Sequence, residues 1–205
     1  LTSRIDAQSI TTTYAYDELN RITQRSYNDS SPQTPTDNFF YDSQTLQSGA
    51  PSYTHGSTAG RLVAVTYGGG SEGTYRAYDV AGRVTQQFQR TDSVNYQVDA
   101  SYNLTNAMTA EMYPGNGSTR RSVSFSMDAA GRLSSLSSSS VTYGSSVFPA
   151  ASVSSISYAP QGAISSQTLG NSLVHAIGYN PRLQPTSIQL GSSGAVMSLS
   201  YTYGV

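Results

Sequence analysis

The sequence predicts an all-β protein, a repeat array of antiparallel strands and hairpins, on three observations. A short phrase recurs seven times, an aromatic-polar-aromatic run that ends in a four-residue turn and restarts on an aliphatic residue. Polarity around each copy alternates with period two, the pattern of a strand with one buried and one solvated face. Turn-forming residues then follow at fixed offsets. Repeats of this size mark an array of supersecondary units, none of which buries its own face alone.

The clearest copies are Tyr14 to Ile22, Tyr75 to Val84 and Phe125 to Leu133. Taking the turn residue as zero gives Asp17, Asp42, Asp79, Asp99, Asp128, Ala159 and Asn180. One position earlier stand Tyr16, Tyr41, Tyr78, Val98, Met127, Tyr158 and Tyr179, and the five tyrosines form an aromatic column. Three before the turn residue come Tyr14, Phe39, Tyr96, Phe125, Ile156 and Ile177, with Arg76 as the exception and Tyr75 one residue off, as a bulge would place it. The alternation predicts that the column fills the packed face of the sheet, so that Tyr78→Ala or Phe125→Ala costs about 3–5 kcal/mol.

Asp at the first position of a type I turn accepts hydrogen bonds from N–H groups two residues on, and Gly or Asn at the fourth supplies positive φ. Asn20, Gly82, Gly131 and Gly162 hold that fourth position, so hairpins are expected. Arg21, Arg83 and Arg132 follow four residues after Asp17, Asp79 and Asp128, placed for turn-stabilising contacts. Tyr102 and Leu183 take the fourth position after Asp99 and Asn180, which predicts that those two turns differ. After Asp42 the Gly-Arg pair is delayed to Gly60-Arg61, so residues 43–60 read as a loop inserted into a hairpin. No domain boundary stands out, and residues 1–205 read as one array. The serines from Ser137 to Ser140 read as a strand edge or loop rather than a linker, because Val141-Thr142-Tyr143 resumes β-type sequence.

The pairs Tyr16-Asp17, Tyr41-Asp42 and Tyr78-Asp79, together with Gly60-Arg61-Leu62, Gly82-Arg83-Val84 and Gly131-Arg132-Leu133, resemble the YD-repeat (Rhs) family of bacterial toxin shells and teneurins. Tyr113 to Gly117 leading into Val123-Ser124-Phe125 is similar to the family's strand-to-strand spacing. The resemblance covers nearly the whole chain. It implies a segment of a spiralling β-sheet shell that encloses a toxin or other cargo, in a large secreted or surface protein whose export signal is not in this chain. The region of self-cleavage that closes many family members has no counterpart, so no protease activity is carried over. The alternative is a cell-surface adhesive or carbohydrate-binding scaffold, or a self-assembling filament subunit.

Composition agrees with many strands and short turns: 16 Tyr, no Trp and little charge in 205 residues. All 11 basic residues are Arg, and the net charge of −1 gives no electrostatic case for nucleic acid or an anionic membrane. No apolar run is long enough to span a bilayer. The absence of Cys excludes disulfides and thiolate metal sites.

No catalytic, cofactor or metal residue is expected, and the chain reads as no enzyme. Gly69-Gly70-Ser71-Glu72-Gly73 fits a nucleophile elbow, but strand-type sequence follows where that elbow needs a helix. His55 and His175 are isolated, and one carboxylate per turn falls short of a calcium shell. The sequons at Asn28, Asn103 and Asn116 fit chance in a Ser/Thr-rich chain. Glycans remain a possible partner through Tyr53, Tyr67 and Tyr113, outside the column. Adjacent repeats or further copies are expected to pair along strand edges, with Thr11–Tyr16 and Leu199–Tyr203 as exposed, Lys-free strands near the ends where the array looks cut mid-repeat.

Overall fold

The structure is a computed structural model that describes residues 1–30, 32–115 and 119–204. The sequon at Asn116 and part of the Tyr113–Gly117 motif lie outside the described residues. Among the described residues, sixteen strands pair in antiparallel ladders, and two more form a separate hairpin. The chain separates into two compact units, Leu1–Ala100 and Ser101–Val205.

The first unit carries β1 (Ser3–Ile5), β2 (Thr11–Tyr16), β3 (Ile22–Tyr27), β4 (Asp37–Tyr41), β5 (Leu62–Tyr67), β6 (Gly73–Tyr78), β7 (Val84–Thr91) and most of β8 (Val94–Tyr102). Each strand pairs antiparallel with the next. Thr11–Tyr16 is therefore an interior strand with β1 on one side and β3 on the other, not the exposed edge the sequence suggested.

In the second unit the strands are β9 (Met108–Met112), β10 (Ser122–Met127), β11 (Leu133–Ser138), β12 (Val141–Tyr143), β13 (Ser146–Phe148), β14 (Ala151–Tyr158), β15 (Ile164–Leu169), β16 (Val174–Tyr179), β17 (Pro185–Leu190) and β18 (Met197–Ser200). They too pair in chain order, except that β12 and β13 leave the sheet as a small hairpin and β11 pairs directly with β14. Ser137 and Ser138 lie inside β11, and Val141-Thr142-Tyr143 is β12.

One irregularity recurs. The register shifts by one residue just before the turn between Ala15 and Tyr16, Phe40 and Tyr41, Ala77 and Tyr78, Ser126 and Met127, Ser157 and Tyr158, and Gly178 and Tyr179. Ala77 pairs with Gln86 while Tyr78 pairs with Val84, so the extra residue, Thr85, lies on the outgoing strand. The bulge belongs to every one of these hairpins and is not a local oddity at Tyr75. Bulges bend a strand and increase its twist, so the same bend is written into the sheet hairpin after hairpin.

Along β5 to β7 of the first unit, the core sits on the face opposite to the one the sequence suggested. Along β6, Gly73, Tyr75 and Ala77 are buried, and Thr74, Arg76 and Tyr78 are only partly covered. Ala64, Tyr75 and Phe88 pair across β5, β6 and β7 and form the buried cluster. Phe40, Leu46, Ala50 and Tyr53 pack against it, so residues between β4 and β5 cover this face. Tyr53 meets Phe88 at 5.0 Å and Tyr75 at 6.4 Å between ring centres. Burial pushes the Tyr53 hydroxyl well above the usual phenol range. This tyrosine is thus a core residue rather than a free sugar platform, whereas Tyr67 and Tyr113 are exposed.

Column tyrosines are not core residues of that kind. Tyr16 remains 39% exposed, and Tyr41, Tyr78, Tyr158 and Tyr179 are half-buried. On β6 the burial expectation failed because period-two alternation identifies two faces without saying which one receives cover, whereas on β10 and β14 the alternation runs as expected, with Phe125, Met127, Ile156 and Tyr158 part-covered and Ser124, Ser126, Ser155 and Ser157 exposed. On β6 the cover comes from residues 46–53, on the Tyr75 side.

Candidate functional site

The repeated chemistry lies at one end of the strands. In the first unit the turns at Asp17, Asp42 and Asp79 join β2 to β3, β4 to β5 and β6 to β7, which places all three at the same end of an antiparallel sheet. In the second unit the turns at Asn103, Asp128, Ala159 and Asn180 likewise share one end.

Each turn is built around its first residue. Asp79 N–H donates to the Arg83 carbonyl at 3.0 Å, and Gly82 N–H donates to the Asp79 carbonyl at 3.0 Å. Asp79 Oδ1 accepts from the N–H groups of Ala81 and Arg83, both at 2.9 Å, while Oδ2 accepts from Arg83 Nε at 2.7 Å. Asp17 does the same with Leu19 and Arg21, and Asp128 with Ala130 and Arg132. The backbone bonds from Arg21, Arg83 and Arg132 hold the Asp17, Asp79 and Asp128 carboxyls below the usual carboxylate range. Both oxygens of these carboxylates are thereby committed within the turn. Among the described residues no three His, Cys, Asp or Glu side chains gather where an ion could bind.

Asn20, Gly82 and Gly131 take φ of 59°, 82° and 77° at the fourth position. The structure places one copy differently from the sequence reading. Asp99 lies inside β8, and the turn falls four residues later at Asn103, whose Oδ1 accepts from Thr105 and Ala107 N–H at 3.0 and 2.9 Å. Tyr102 then stands in the column. Asn180 makes the same turn, with Leu183 held at φ 64° instead of Gly, so that turn does not differ as expected. A further turn of this design, at Asp6, escaped the sequence reading because no aromatic precedes it; its Oδ1 accepts from Gln8 and Ile10 N–H.

The column supplies the links between successive hairpins. Tyr41 donates its hydroxyl to the Ile22 carbonyl at 3.0 Å, Tyr78 to Leu62 at 2.6 Å, Tyr158 to Leu133 at 2.7 Å and Tyr179 to Ile164 at 2.9 Å. Tyr203 reaches Pro185 at 2.7 Å and Tyr16 reaches Leu1 at 2.6 Å in the same manner. In five of these six the acceptor is the first residue of the strand that follows the preceding YD-type turn. Each tyrosine therefore ties its own hairpin to the one before.

Arginines that directly follow the fourth turn residue, Asn20 or Gly, complete the joint. Arg21 lies over the Tyr41 ring at 4.4 Å and Arg132 over Tyr158 at 4.4 Å, with Arg61 over Tyr78 at 5.7 Å. Arg21 also reaches Asp42 of the next turn at 2.9 Å, and its guanidinium is the main cause of the lowered Asp42 carboxyl. Nothing in the sequence motif itself announced the hydroxyl bond. A Tyr spaced by one hairpin from an aliphatic residue carries that information only once the register is known.

The residues weighed for catalysis are scattered, and the His55 backbone touches the rim, its carbonyl accepting from Tyr78 N–H at 2.9 Å. Ser71 sits in the connection before β6 and accepts from Arg90 Nε at 3.0 Å. His55 packs on Tyr53 at 4.5 Å, and His175 in β16 meets Gln167 at 3.3 Å. Asn28 Oδ1 accepts from Thr11 N–H at 2.7 Å. Among the described residues, no helix is long and apolar enough to cross a membrane.

Fold and rim together define a β-hairpin repeat array whose units are joined by tyrosine and arginine. The model of the family described as RHS Repeat matches residues 1–32, in line with the YD-repeat (Rhs) resemblance read from the sequence. Curated proteins give no match. Among solved structures, the crystal structure of TcdB2-TccC3 is similar at a TM-score of 0.65 and 13% identity, over 98% of this chain and 10% of that one. That of TcdB2-TccC3-TEV is similar at a TM-score of 0.64 and 14% identity, with the same coverage. At such identities the likeness is one of fold. The chain spans about a tenth of the length of these structures.

Proposed function

We propose that the chain is a non-catalytic wall segment of a β-shell that encloses a toxin or other cargo, within a secreted or surface protein. The observation that carries this reading is the joint itself. Hydroxyl-to-carbonyl bonds recur from hairpin to hairpin at one end of the strands, as a wall extended by repetition requires. Side chains that could have been chemically available are committed to holding turns and neighbours. The family resemblance supports enclosure of a cargo. In this reading residues 1–205 act as one continuous array, residues 43–60 are its insertion, and adjacent repeats or further copies pair along its edges.

Adhesion through stacked sugars on the column is the less favoured reading, because Tyr41 and Tyr158 already carry a guanidinium over the ring. The test is protease protection in the longest natural polypeptide that contains this segment. Proteinase K should leave the enclosed sequence intact until denaturant opens the sheet. Digestion of all flanking sequence at the same rate in native and denatured protein would contradict enclosure.

A further inference from the structure

An open groove of about 450 Å³ lies in the first unit, with Gln24, Gln33, Thr34 and Pro35 among its exposed walls. Its walls include Gln24 of β3, Asn38 of β4, Gln33, Pro35 and Thr36 of the β3–β4 connection, and Gln47 of the segment that covers the sheet. No charged residue lines it. We propose that this groove binds an uncharged saccharide.

Four side-chain amides converge here, and three hydrogen bonds fix how Gln24, Asn38 and Gln47 point. Gln24 Nε2 donates to Asn38 Oδ1 at 3.1 Å, and Asn38 Nδ2 donates to the Gly68 carbonyl at 3.1 Å. Gln24 and Asn38 are paired across β3 and β4, so the sheet register sets their positions. Thr66 donates its hydroxyl to Gln47 Oε1 at 2.8 Å from a strand position that is itself buried. The groups left facing a ligand are complementary: Gln24 Oε1 accepts, Gln47 Nε2 donates, and Gln33 offers both.

Sugar hydroxyls are donors and acceptors at once, and such a lining matches them. A carboxylate ligand would find no cation among the described lining residues, and the Asp29 carboxylate already holds Thr34 of this wall. The volume falls within the roughly 300–1,000 Å³ common for small-molecule sites. Pro35 adds a small apolar surface for the C–H face of a sugar ring. The inference is independent of the shell reading, and it moves any sugar recognition from the column tyrosines to this lining.

The test is a titration of the isotope-labelled chain, following side-chain amide resonances, with N,N′-diacetylchitobiose, maltose and lactose as neutral probes and glucuronic acid as the charged control. At least one neutral probe should shift the Gln24, Gln33 and Gln47 amides saturably, with dissociation constants of about 1–10 mM. Gln47→Glu keeps the acceptor for Thr66 and removes the donor, and should weaken binding about tenfold, the equivalent of one hydrogen bond. Gln33→Ala, at an exposed position, should weaken it several-fold with the backbone spectrum unchanged. The proposal is overturned by an absence of saturable shifts with all three neutral probes, by binding untouched in both variants, or by glucuronic acid binding as well as the neutral sugars.

Discussion

The guanidinium of Arg21 lies 4.4 Å above the ring of Tyr41, whose hydroxyl donates at 3.0 Å to the carbonyl of Ile22, the residue that follows this arginine. One arginine and one tyrosine thus close a loop between two successive hairpins. Arg132, Tyr158 and Leu133 repeat the arrangement at 4.4 and 2.7 Å. A double-mutant cycle of Arg132→Gln and Tyr158→Leu should return a coupling of about 0.5–1 kcal/mol, the range for a cation over an exposed ring. Additive losses would show that the stacking is only proximity.

Gly82 and Gly131 share a turn position and separate on what surrounds them. A Cβ on Gly82 would stand 2.3 Å from Arg61 Nη2, whereas none of the neighbours of Gly131 comes within 4 Å. Both have positive φ, which Asn tolerates. Gly131→Asn should therefore be nearly neutral in denaturant unfolding, and Gly82→Asn destabilising to the extent that the Arg61 guanidinium must leave its bonds to the Ser57 and Ala59 carbonyls. Adding Arg61→Ala should recover part of the Gly82→Asn loss, and equal effects at both glycines would contradict the packing.

Removal of the core differs from removal of the column. Tyr75 is fully buried and Phe88 is 5% exposed, so Tyr75→Ala and Phe88→Ala should each cost about 3–5 kcal/mol. Tyr78→Ala, on the half-covered face, should cost distinctly less. Unfolding curves that rank Tyr78 above Tyr75 would reverse the assignment of faces.

The repeat, the strands and the Asp-centred turns were legible because each rests on local chemistry: alternation, an Asx acceptor, and a positive-φ residue at a set distance. The phase of the fourth copy was not. Asp99 matched the turn residue in type, and only the pairing of β7 with β8 shows it to be inside a strand. Leu183 at φ 64° was equally hidden, since neighbouring bonds hold a residue there that propensity alone disfavours. The buried face and the tyrosine links depend on register and on which segment folds over the sheet, both long-range properties. The amide-lined groove joins residues from four separate stretches of chain and left no motif to find.

Acid should loosen the rim. Bonds from backbone and guanidinium lower the Asp17, Asp79 and Asp128 carboxyls from the ordinary value of 3.8. The unfolded chain then binds protons first, so this stabilisation is complete above the ordinary carboxylate range and disappears as pH falls through the lower folded values. The urea midpoint should drop between pH 6 and pH 3, and the triple variant Asp17→Asn, Asp79→Asn, Asp128→Asn should drop less. The native Asn103 and Asn180 turns show that the amide preserves the backbone acceptor. An equal fall in both proteins would assign the acid sensitivity elsewhere.

The most direct measurement of the tyrosine joint is the unfolding free energy of a variant carrying Tyr41→Phe, Tyr78→Phe, Tyr158→Phe and Tyr179→Phe together, with Tyr96→Phe as the exposed control. Each substitution keeps the ring and removes one hydroxyl-to-carbonyl bond. At about 0.5–1.5 kcal/mol per bond and with sites far enough apart to add, the variant should lose about 2–6 kcal/mol while the control stays near zero. A quadruple variant as stable as the parent, with the same β-sheet spectrum, would show that the hydroxyls do not hold the hairpins together.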